Sequence, residues 1–143
     1  MDGDQSWADS RRDAAATHAD MLARRQEAEH ARARALLERF TAVAREHLTP
    51  EPLRVRGYGG AGSARSNVTG WYLRADRTMG LGTDGRLYVL TAPLGLRDRL
   101  RGVELDETPP PIVLGAGGKD GESIDLPDAL ERLLPGWTDL ERS

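Results

Sequence analysis

Residues 68–92 read VTGWYLRADRTMGLGTDGRLYVLTA, a stretch in which large apolar side chains alternate with polar ones or glycine at the two-residue period of half-buried strands. Three short strands joined by loops of odd length place Trp71, Leu73, Met79, Leu81, Leu87 and Val89 on one face. The opposite face then carries Tyr72, Arg74, Gly80, Gly82, Arg86 and Tyr88. Register decides this assignment. A two-residue turn at Asp84-Gly85 sets Gly80 and Gly82 against Val89 and Leu87 and mixes the faces. A three-residue loop, Thr83-Asp84-Gly85 with Gly85 left-handed, pairs Leu81 with Leu87 and Met79 with Val89. Burying a coherent apolar row stabilises by ~1.5 to 3 kcal/mol per side chain, far above any preference between common turns, so the three-residue loop is expected.

Upstream, residues 10–48 contain neither Gly nor Pro and are rich in Ala, Arg, Glu and Leu, the composition of a long helix that Thr49 and Pro50 end. Leu36, Leu37, Phe40, Val43, Ala44, His47 and Leu48 fall on one stripe of its second half, which is expected to pack on the sheet. The first half has mostly alanines to bury. Unbroken, this helix runs about 57 Å at 1.5 Å per residue, longer than a compact domain of this size. It therefore pairs with its copy, breaks near residues 25–29, or frays, with the first two preferred. Residues 1–30 are expected as a helical extension, partly exposed or dimer-forming, and residues 31–143 as a single α+β domain.

Between helix and meander, residues 53–56 alternate as a short strand and residues 57–67 read as a loop. Downstream, Leu96, Leu100 and Val103 mark a short helix over 95–102. Residues 104–111 form an acidic, proline-rich, exposed connection. Strands at 112–114 and 122–126 flank a glycine-rich loop at 115–121, and a last helix covers 127–134, its proline placed in the first turn. The expected fold class is α+β: a long N-terminal helix on an antiparallel sheet of four to six strands, with two short helices.

The 143-residue chain, 38% hydrophobic and 30% charged, suits one soluble core, and no apolar run approaches the ~18 residues of a membrane span. The acidic start MDGDQSWADSRRD does not resemble a secretory signal. Absence of cysteine excludes disulfides, thiol catalysis and cysteine-ligated zinc, and fits a cytoplasmic setting. Arginine almost to the exclusion of lysine, with abundant Ala and Gly, suggests a GC-rich bacterial genome. Residues 1–52, 53–103 and 104–143 carry net charges of −2, +6 and −7, which points to a basic middle and an acidic end lying side by side.

No motif carries recognisable chemistry. GYGGAG at 57–62 matches a dinucleotide-loop pattern, but no helix follows whose N-terminal amides would face a pyrophosphate. GAGGKDGES at 115–123 departs from a phosphate loop at two points: Val113 replaces the first glycine and Asp120 the magnesium-binding hydroxyl. His18, His30 and His47 share the long helix, too far apart to hold one metal, and His47 is expected half-buried at its end. No nucleophile has a base beside it. Neither cofactor nor metal is expected, and the balance leans away from an enzyme.

The remaining hint is an Arg/Tyr surface of Arg54, Arg56, Tyr72, Arg74, Arg86 and Tyr88. Tyrosines that stack on bases and arginines that meet phosphates suit single-stranded nucleic acid. Glycines that admit another layer, with tyrosines at a packed interface, suit burial or protein contact, which is preferred. The expected function is a non-catalytic protein-interaction or regulatory module, self-associating as a homodimer through the N-terminal helix; nucleic-acid binding is the alternative and an enzyme of unknown class the third.

Overall fold

The structure is a computed structural model that describes residues 2–60, 62–110, 113–114 and 124–143. Helix α1 spans Asp2–His47 without a break, roughly 69 Å at 1.5 Å per residue. It is followed by β1 (Glu51–Gly57), β2 (Ser63–Tyr72), β3 (Met79–Gly82), β4 (Leu87–Val89), β5 (Thr91–Ala92) and α2 (Leu96–Arg101). A two-stranded ribbon, β6 (Val113–Leu114) and β7 (Ile124–Asp125), precedes α3 (Leu126–Leu133) and α4 (Trp137–Glu141). The fold is α+β, with a five-stranded sheet in the order β4-β3-β2-β1-β5. It is antiparallel except for β5, which runs parallel to β1.

The meander has the register its apolar row requires. Met79 pairs with Val89 and Leu81 with Leu87, and Gly85 has φ of 83°, a conformation open to glycine but strained for other residues. Trp71, Leu73, Leu81 and Leu87 are buried against α1, α3 and Trp137, with Met79 packed alongside; Val89, at the edge, is exposed. From α1 come Ala33, Leu37, Phe40, Val43 and Ala44. Thr41 is buried too, because its hydroxyl donates to the Leu37 carbonyl at 2.6 Å. Phe40 meets Trp137 edge-on, centroids 5.4 Å apart.

Three expectations need correction. Strand β2 takes in residues 63–67, read above as loop: this polar half pairs with β1 (Arg54↔Arg65, Val55↔Ala64), and its small side chains hid a strand. His47 lies exposed rather than half-buried, because the buried stripe of α1 centres on Ala33, Leu37 and Ala44. Helix α2 forms where expected, with Leu96 and Leu100 exposed, and is held at the edge of β2 through the backbone, Val103 N–H donating to the Arg65 carbonyl at 2.7 Å. The connection after α2 is extended but strapped down, with Leu105 N–H bonded to Asn67 and Thr108 bridged to Leu87. The ribbon register, Val113↔Asp125 and Leu114↔Ile124, matches the expected hairpin, whose glycine-rich loop lies outside the described residues.

The second face of the sheet is closed as well. At Leu90 the chain bends: its amide donates to Thr78 on the β3 side, and its carbonyl accepts from Arg56 of β1. Residues 87–92 thus bond to β3 on one side and β1 on the other and fold the sheet around a second core of Leu53, Val68, Tyr88 and Leu90, against which Tyr72 and Leu105 pack. Gly80 is the space this core needs. A Cβ there would lie 2.6 Å from Leu53 Cδ1 and 3.0 Å from Leu90 Cδ1.

Candidate functional site

The six Arg/Tyr residues do not form one open surface. In β1, Arg54 and Arg56 alternate with buried Leu53 and Val55, so they point away from the second core. Tyr88 points into that core and is 6% exposed; Tyr72 packs at its rim, its hydroxyl accepting from the Arg54 amide at 3.1 Å. Arg74 and Arg86 sit beyond opposite ends of the β3 strand, one near Asp76 and the other near Glu107.

Two smaller groups result. In the first, the Arg54 guanidinium donates to Ser63 Oγ, Arg56 to the Asp76 carbonyl, and Arg74 Nε lies 3.4 Å from Asp76 Oδ1. Arg77 covers the Tyr72 ring at 5.0 Å from its centroid, a cation–π contact. Arg65, directly across from Arg54, enlarges this basic surface. In the second, the Tyr88 hydroxyl donates to Asp84 Oδ2 at 2.7 Å, and Arg86 Nε lies 3.6 Å from Glu107 Oε2. That ion pair joins the basic middle of the chain to its acidic end, as does proximity of Thr108 to Leu87.

Electrostatics follow from these contacts. Burial would push the Asp76 carboxyl up, but the Thr78 hydroxyl and amide and the Arg74 charge outweigh it and hold Asp76 below its ordinary value. Burial, the hydrogen bond to Asp84 and the Asp84 charge push Tyr88 up to about 12. A phenol whose folded value exceeds its unfolded value of about 10 contributes stability that is complete below pH ~10 and lost as pH rises toward 12. Urea unfolding of Tyr88→Phe should therefore lose less stability than the parent over that alkaline window. Equal slopes in the two proteins would show that the phenol is not held neutral.

A long exposed stretch lies elsewhere, on α1. Residues 3–29 are exposed, with Ala8 half-covered, and among them Trp7, Met21 and Leu22 are 69%, 57% and 44% exposed. Where α1 enters the domain, Ala35 and Leu36 form an apolar groove of about 370 Å³ with Leu126 and Pro127, flanked by Arg32 and Arg39. The groove, Trp7 and Arg65 were not singled out in the sequence, although the repeat Trp7, Ala14, Met21, Ala28, Ala35 at seven-residue intervals was there to be read. Among the described residues no three His, Asp or Glu side chains are grouped to hold a metal ion, and no helix is long and apolar enough to cross a membrane. Comparison with known proteins finds no family model, no curated protein and no solved structure that matches this chain.

Proposed function

We propose that this protein is a non-catalytic interaction or regulatory module that acts as a homodimer through its N-terminal helix. The observation that carries this reading is the exposure of residues 3–29 along an unbroken 46-residue helix. Helices in water are stabilised mainly by packing of an apolar face, and this stretch is exposed along its length, displaying Met21, Leu22 and Trp7, whose ring is met by the Arg11 guanidinium one turn on, 5.5 Å from its centroid. A second copy supplies the missing surface. The absence of cysteine fits a cytoplasmic setting.

Light scattering on the full chain and on a chain lacking residues 1–30 tests it. The expected result is a dimer for the first and a monomer for the second; a monomer in both sinks the proposal.

Nucleic-acid binding is the second reading, and one observation favours it. Arg54 and Arg65 stand directly opposite each other on antiparallel strands, a like-charge pairing that costs stability unless an anion lies across it. Affinity for single-stranded RNA or DNA should then fall steeply with salt and weaken for Arg54→Ala and Arg65→Ala. Absence of binding at low salt removes this reading.

A further inference from the structure

We propose that the arm of α1 docks antiparallel on the arm of a second copy, crossing at Met21, so that Trp7 of each chain fills the apolar groove beside Ala35 of the other. This rests on the homodimer reading above and gives it a register. Trp7, Ala14, Met21, Ala28 and Ala35 recur every seven residues. A seven-residue repeat corresponds to 3.5 residues per turn, the period at which two helices keep one seam in contact by wrapping left-handed around each other. The row is symmetric about Met21. Fourteen residues, about 21 Å of helix, separate Met21 from Trp7 on one side and from Ala35 on the other. An antiparallel pair crossing at Met21 therefore sets Trp7 opposite Ala35 and Ala14 opposite Ala28, where the small side chains let the helices approach closely.

What stands at Ala35 is the groove. Its floor is Ala35, Leu36, Leu126 and Pro127, apolar surface that matches an indole, and its volume of about 370 Å³ is at the small end for a ligand pocket. Trp7 is the large aromatic side chain most exposed on the molecule's described surface, at 69%. Arg39 is held at the rim by its pair with Glu141 (2.7 Å) and by stacking on Trp137.

Charge selects the same orientation. Residues 3–10 hold Asp4 and Asp9 and no basic side chain. Residues 32–39, which face them in the antiparallel pair, hold Arg32, Arg34 and Arg39 against Glu38. A net −2 segment thus meets a net +2 segment twice per dimer, whereas a parallel pair sets like against like. The two domains end up at opposite ends of the helix pair, leaving their sheets clear of each other.

The chain has no cysteine, so full-length chains with one introduced thiol report the register directly. Met21→Cys should cross-link to a covalent dimer under mild oxidation, because the two sites meet at the crossing. Trp7→Cys alone should not, since its two copies lie about 42 Å apart along the pair; mixed with Ala35→Cys it should. Trp7→Ala should weaken dimerisation at least roughly tenfold, as truncation of an aromatic anchor buried in a pocket does. Self-cross-linking of Trp7→Cys would mean a parallel pair, overturning the docking while leaving the homodimer. A dimer that resists cross-linking at Met21 and ignores Trp7→Ala would do the same. A monomeric parent chain overturns both.

Discussion

Phe40→Ala should lower the unfolding free energy by about 4 kcal/mol, the range for removing a large aromatic from a closed core. Phe40 is fully buried and sits where three layers meet. It shares one core with Trp71, Leu81 and Leu87 of the sheet and Leu126 and Leu130 of α3, and forms an edge-to-face pair with Trp137 at an interplanar angle of 81°. An edge-to-face pair adds ~0.5 to 1.5 kcal/mol beyond area, so the loss is expected above that of a buried leucine. For a chain of this length the melting temperature should fall by roughly 10 to 15 °C. A drop of only a few degrees by calorimetry would mean that α4 is not seated on α1 as described. The arm of residues 1–30 does not contribute to this core, so the loss should be the same in a chain lacking it.

The contrast between that core and the arm explains how far the sequence could be read. Wherever one face of an element is buried and the other is not, alternation is strong, and the apolar row of the meander selected both the loop length and the pairing of Leu81 with Leu87. Leu37, Phe40, Val43 and Ala44 of α1 were legible from their helical spacing, whereas Ala33 and Thr41, small or polar, were not. Strand β2 shows the limit. Its first half, SARSN, has only Ala64 to bury, and it is a strand because β1 lies beside it, not because of its own pattern.

The candidate surface divides into two groups for a related reason. Tyr72, Arg74, Arg86 and Tyr88 do share the parity expected of one sheet face, but parity says nothing about what covers that face. The cover comes from Leu53, one strand upstream, and from Leu90, after a bend that turns the chain parallel to β1. Nothing local to residues 68–92 announces that bend. Gly80 and Gly82 carried the signal for the preferred burial reading: they leave space for neighbouring side chains instead of an exposed floor, as the Leu53, Leu90 and Tyr88 contacts show. Arg54 and Arg56 were set on the wrong side for the same reason, since the face of β1 is fixed by what Leu53 packs against.

Gly70→Ala should be the most damaging single methyl added to this protein. Gly70 pairs with Glu51 on one side and Gly82 on the other, joining β1, β2 and β3. A Cβ there would lie 1.9 Å from the Leu81 carbonyl oxygen and 2.8 Å from Gly82 Cα, both backbone atoms that cannot swing aside. Relief requires β2 and β3 to separate, which breaks the ladder beside Trp71 and Leu81 and opens the main core. Overpacking ordinarily costs ~1 to 3 kcal/mol; with backbone as the obstacle the cost here should reach or exceed the top of that range. Comparison within one series isolates the cause. In Gly80→Ala the obstacle is Leu53 Cδ1 at 2.6 Å, the end of a rotatable side chain, so the loss should be smaller. In Gly3→Ala nothing lies within 4 Å and the residue is helical, so stability should be unchanged or slightly raised. The expected order of melting temperatures is Gly3→Ala highest, then Gly80→Ala, then Gly70→Ala. A Gly70→Ala protein as stable as the parent would mean that β2 and β3 are not paired through Gly70 and Gly82, and with that register would go the burial of Tyr88 and the closed second face.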